Sequence, residues 1–134
     1  MIMAVTRFLL MSLILLLTGC AVLQPGPSQN SAVKELVSSA EKQTSSGELG
    51  QASASLERAL RIEPRNPALW QELAKVRLNQ GLYLQSENLA AKSNSLSRGN
   101  RRLRQKNWQL IAEARFQRGD SKGAQSALER AKRE

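Results

Sequence analysis

From Ala32 onward, small and apolar residues recur at helical spacing in three segments that can be laid over one another. Each segment has a large apolar residue near its start, Leu36, Trp70 or Trp108, followed four positions later by Ala40, Ala74 or Ala112. Seven residues further stands a glycine: Gly47, Gly81 or Gly119. Ala52, Ser86 and Ala124 come next, then Leu56, Ala90 and Leu128, and the series closes with Ala59, Ser93 and Ala131. The first two segments are 34 residues apart and the third is displaced by 38, which leaves four extra residues in the connection before it. The pattern predicts three helix–turn–helix hairpins, at about 33–66, 67–100 and 105–134, within an all-α domain spanning 32–134. Small residues let the two helices of a hairpin approach, and the glycine supplies the positive φ that ends the first helix. Leu or Trp fills the space between neighbouring hairpins, so that units unable to bury their own apolar face stack.

The joint between the first two hairpins is the corner from Ala59 to Trp70. Pro64 cannot continue the helix behind it, while Pro67 occupies a first helical turn, where its missing N–H costs nothing. In the second segment Arg98 stands where Pro64 stood. Ser86 and Ser93 replace alanines, which is expected to loosen the packing slightly. The last helix, Lys122 to Arg133, has one narrow apolar face and one polar face, so it can serve as the cap of the stack. The six matched positions and the 34-residue unit resemble the tetratricopeptide repeat (TPR). That resemblance implies a right-handed superhelical stack, with the first helix of each hairpin lining a concave, ligand-binding groove.

The first 19 residues do not belong to this domain. Arg7 is followed by an apolar run from Phe8 to Leu17, broken only by Ser12 and ending in Leu17-Thr18-Gly19-Cys20. This is the layout of a secretory signal, and the run is shorter than the roughly 20 residues a spanning helix needs. The four closing residues resemble the lipobox of bacterial lipoproteins, with Leu17, Thr18 and Gly19 preceding the modified cysteine. The resemblance implies cleavage before Cys20 and covalent attachment of lipid, palmitate included, to that residue. Ala21 in place of Asp implies sorting to the outer membrane, facing the periplasm. Residues 20–31 then read as the lipidated cysteine and a tether broken by Pro25-Gly26-Pro27, whose eleven residues after Cys20 reach at most about 35–40 Å.

Charge adds a second feature. The chain carries +9 in total, yet residues 20–96 hold only +1 while residues 97–134 hold +7. Five basic residues, Arg98, Arg101, Arg102, Arg104 and Lys106, fall within nine positions, in what the spacing makes the longer connection between the second and third hairpins. They are either a solvated connection or a patch for an acidic protein surface or anionic headgroups. Nucleic acid is a poor fit, because the cluster contains no stacking aromatics and the chain is exported.

Catalytic chemistry finds little material. There is no histidine, and the single cysteine is taken by lipid, so no Ser–His or Cys–His pair and no metal-ligand cluster can be assembled; neither an enzyme nor a cofactor is expected. Recognition remains. With Trp70, Leu73 and Ala74 turned inward, Gln71, Lys75, Leu78 and Asn79 fall on the open side, matched by Gln109, Glu113, Phe116 and Gln117, and by Val37, Glu41 and Thr44. Leu78 and Phe116 either contact a peptide or pack between hairpins.

A small lipoprotein of so few repeats resembles the lipoprotein activators of class A penicillin-binding proteins. This implies docking on a peptidoglycan synthase and stimulating activities that belong to the partner. Two other readings stay open: an assembly factor or pilotin for outer-membrane secretion, pilus or porin machinery, and a structural protein that binds lipid or cell wall through the basic cluster.

Overall fold

A computed structural model describes residues 28–134; the signal segment, the lipobox, Cys20 and most of the tether lie outside them. Six helices follow one another, with no strand among the described residues: α1 (Ser31–Ser45), α2 (Leu49–Ile62), α3 (Pro67–Asn79), α4 (Tyr83–Leu96), α5 (Arg101–Gln117) and α6 (Ser121–Arg133). They pair as α1/α2, α3/α4 and α5/α6, and the three hairpins stack into a right-handed TPR-type superhelix.

Each first helix begins on an asparagine. The Asn30 carboxamide accepts from the Ala32 and Val33 amides, Asn66 from the Ala68 amide at 3.0 Å, and Asn100 from the Leu103 amide at 3.0 Å. These contacts satisfy amide groups that the start of a helix leaves without partners. Within each hairpin Gly47, Gly81 and Gly119 take φ of 77°, 76° and 82°, the left-handed conformation the glycine spacing predicts.

The asparagines also correct the expected position of the insertion. Asn66 and Asn100 are 34 residues apart, and the two corners match: the Asn66 amide donates to the Glu63 carbonyl and the Asn100 amide to the Ser97 carbonyl. The four extra residues therefore do not lengthen a connection. They extend α5 to 17 residues against 13 in α3. Four residues make about one helical turn, so Trp108 and Ala112 return to nearly the azimuth of Trp70 and Ala74. Arg101, Arg102, Arg104 and Lys106 are accordingly helical, and only Arg98 lies in the corner. There Gly99, at φ 80°, makes the bend that Pro64 and Arg65 make without a positive φ.

The core comes in two parts. The first is aliphatic, with Val33, Leu56, Leu60, Leu69, Leu73 and Val76 gathered between α1, α2 and α3. The second is mostly alanine (Ala74, Ala90, Ala112 and Ala127), with Ile111 as its one large, fully buried member. Leu89 packs against both. Alanine has little surface to bury, and polar groups compensate within the second hairpin around this second part. Ser86 and Ser93, both 0% exposed, donate to the Ala74 and Pro67 carbonyls at 2.8 Å. They bind neighbouring helices together, where a loosening was expected. The α4–α5 contact is in fact more extensive than the α2–α3 contact, so the second junction is the tighter one.

Candidate functional site

Repeat equivalence decides where each expected groove residue falls. Val37, Gln71 and Gln109 are equivalent, and each points towards the space where the next hairpin stacks. Val37 lines the gap between α1 and α3. Gln71 is buried rather than open: its Nε2 donates to Asn107 Oδ1 at 2.8 Å and, more distantly, to the Leu103 carbonyl. Gln109 is exposed because no fourth hairpin follows among the described residues.

Thr44, Leu78 and Phe116 form a second such series. Thr44 lines the α1–α3 gap, Leu78 is half-buried, and Phe116 is 61% exposed. Leu128 repeats the theme: its equivalents Leu56 and Ala90 are buried, while Leu128 is 45% exposed. The expected capping by α6 is thus incomplete. Gln109, Phe116 and Leu128 mark a terminal face that would seat a further hairpin, and the first two do not share a groove with Gln71.

The open side proper is the cleft between α1 and α3. It comprises two adjoining cavities of about 260 and 270 Å³ that share Val37, Glu41 and Glu72. Val37, Ala68, Leu69 and Val76 give it apolar walls. Its rim is charged: Glu72 pairs with Lys75 at 2.5 Å, one helical turn on, while Glu41 is exposed and has no ion-pair partner among the described residues. Glu72 was not among the residues expected here. Its signal was available, since it lies 34 residues after Ser38 and three before Lys75, on one helix face. Asn79 is exposed at the end of α3. Glu113 is exposed on α5 and accepts from Gln117 Nε2 at 2.6 Å.

The basic residues divide into two kinds. Arg104 is held by the last residue, Glu134, at 2.7 Å and donates to the Ser97 carbonyl at 2.9 Å; Arg101 donates to the Glu134 backbone carbonyl. The Arg104 hydrogen bond and charge, with lesser help from Trp108 and Arg101, hold the Glu134 carboxyl below its ordinary value against an opposing effect of burial. Arg98, Arg102 and Lys106 are exposed and make no such contact among the described residues. Elsewhere, cross-hairpin ion pairs pin the helices, with Arg77 on Glu57 at 2.6 Å and Arg115 and Arg118 both on Glu87. Among the described residues no group of acidic or sulfur side chains could hold a metal, and no helix is long and apolar enough to cross a membrane.

No family model matches the chain, and no curated protein matches it significantly. Solved structures do. The globular C-terminal domain of LpoP from P. aeruginosa is 43% identical, with a TM-score of 0.76, over 78% of this chain and 99% of that domain. The chain belongs to the LpoP family. The N-terminal domain of stress-induced protein-1 (STI-1) from C. elegans shares the fold, with a TM-score of 0.67 at 14% identity over 77% of this chain and 86% of that one. Both neighbours are helical TPR-type domains, and the surfaces left open on this member of the LpoP family are the α1–α3 cleft, the terminal face and the basic end.

Proposed function

We propose that the protein is a lipid-anchored scaffold of the outer membrane that binds a class A penicillin-binding protein and activates it. The observation that carries this reading is the 43% identity across the whole LpoP domain, joined to the lipoprotein-activator resemblance of the sequence. The signal segment and Cys20 support the anchoring. Activation in this reading is a shift of the partner's conformational equilibrium, which requires only that the scaffold bind the active state more tightly. The α1–α3 cleft, with Val37 on its wall and Glu41 and Lys75 at its rim, is the surface assigned to the partner. Apolar walls and an uncompensated carboxylate suit a segment carrying an apolar side chain and a basic one.

The test is a peptidoglycan-polymerisation assay with purified class A synthases from the same envelope, with and without the mature chain. Stimulation by wild type that drops about tenfold for Val37→Asp combined with Glu41→Lys is the expected result. If no class A synthase binds the chain or responds to it, the reading is wrong. Separately, Cys20→Ser should move the protein from the membrane fraction to the soluble periplasmic fraction.

A further inference from the structure

The end of the domain at which the chain enters is also its basic end, and a series of contacts runs across it. Ser28 Oγ donates to Glu63 at 2.5 Å, placing the entering chain against the first corner. Glu63 also accepts from Asn66 Nδ2 at 2.7 Å; Ser93 reaches back to the Pro67 carbonyl, and Asn107 donates to Ser93 Oγ at 2.7 Å. Arg104 then ties Ser97 to Glu134. The starts of α1, α3 and α5 and the ends of α2, α4 and α6 therefore share one end, with the three glycine turns at the other.

Charge on this end is predominantly positive. Its two corners carry Arg65 and Arg98, both exposed, and the first turns of α5 add Arg101, Arg102 and Lys106. Against them stand Glu63, hydrogen-bonded by Ser28 and Asn66, Glu134, paired with Arg104, and Glu35, exposed beside Lys34 in the first turns of α1. Cations in the first turn of a helix also oppose its dipole, so Arg102, which has no partner among the described residues, destabilises α5 locally instead of supporting it. Helix stability does not account for it, and a surface role does.

We propose that this end is a docking surface for anionic phospholipid headgroups on the membrane that holds the anchor. The geometry favours lipid over a protein partner, because a tether leaving from Ser28 turns this same end towards the bilayer. The eight residue steps from Cys20 to Ser28 span at most about 26–29 Å, which keeps it within reach. Docking then holds the scaffold against the membrane, and release frees it to extend towards a partner. The orientation rests on the lipid-anchored reading of Cys20; headgroup binding by the patch does not, so it is tested on unlipidated protein.

The experiment uses residues 21–134, since the isolated LpoP domain, matched over 99% of its length, is itself a folded structure. Co-sedimentation is measured with phosphatidylglycerol-rich vesicles and with pure phosphatidylcholine vesicles, at low and raised salt. Binding to the anionic vesicles alone, weakened by salt, is expected. Arg98→Gln with Arg102→Gln should lower the partition coefficient about 25-fold, at roughly fivefold per basic residue near an anionic surface. Lys42→Gln with Lys122→Gln, an equal charge change at the glycine-turn end, should leave it within about twofold. Binding to both vesicle types, to neither, or an equal loss in the two pairs overturns the proposal. So does an Arg98/Arg102 pair that binds vesicles like wild type but no longer stimulates a synthase, which would make the patch a protein-docking surface. Failure here leaves the activation assay standing, and failure of that assay leaves vesicle binding standing.

Discussion

Asn107 is the residue on which the second junction depends. It is 0% exposed and makes three side-chain hydrogen bonds: it accepts from Gln71 at 2.8 Å and donates to Ser93 at 2.7 Å and to Asn94 Oδ1 at 2.9 Å. In Asn107→Ala, Ser93 keeps the Pro67 carbonyl and Gln71 keeps a 3.5 Å contact to the Leu103 carbonyl. Asn94 fares worst, because its Nδ2 already has no partner among the described residues and its Oδ1 would lose one. At about 1 kcal/mol net for each of three hydrogen bonds, with a further 1–2 kcal/mol for the groups left unsatisfied, the loss is about 4–5 kcal/mol. Total stability of a domain this size is about 5–15 kcal/mol, so the melting temperature should fall by at least about 16 °C. Asn107→Leu fills a similar volume yet leaves the same partners unsatisfied, and it should be no better. Urea unfolding followed by circular dichroism measures both, and a cycle with Gln71→Ala should give a coupling energy of about 1–2 kcal/mol. A loss below about 1 kcal/mol for Asn107→Ala, or strictly additive mutants, would refute the claim that polar bonding replaces apolar burial at this junction.

Two glycines should respond in opposite directions to alanine. Gly81→Ala forces a Cβ into the left-handed region and should cost about 1–2 kcal/mol by urea unfolding, although its nearest neighbour, Tyr83, is at an ordinary 3.9 Å. Gly50→Ala lies inside α2 with open space around it, and should stabilise by about 0.5–1 kcal/mol. Glu134 makes the C-terminal contact pH-dependent. Its carboxyl titrates below the ordinary 4.5 when folded, so the contact's contribution is complete above about pH 4.5 and is lost as pH falls through the lower folded value. The melting-temperature difference between wild type and Glu134→Gln should therefore be constant near neutrality and close in acid; a difference independent of pH would sink this assignment.

Much of this architecture is local and was legible in the chain. Glycine at 47, 81 and 119, small residues across each hairpin and Pro67 after Asn66 each act within a few residues of themselves, and each sets a helix boundary or a close approach. The family resemblance followed from the same local units. What tertiary structure alone decided was direction and neighbourhood. Gln71 and Gln109 hold the same place in their helices, yet one is buried against Asn107 and the other faces solvent, because burial depends on whether a hairpin follows. The four-residue insertion was compatible with a loop or with a helical turn; the Asn100 cap and the buried Asn107 resolved it as a turn of α5. Only the stacked fold could show that Ser28 and the α5 arginines share one end, since that proximity joins residues about 70 positions apart through contacts no local pattern encodes.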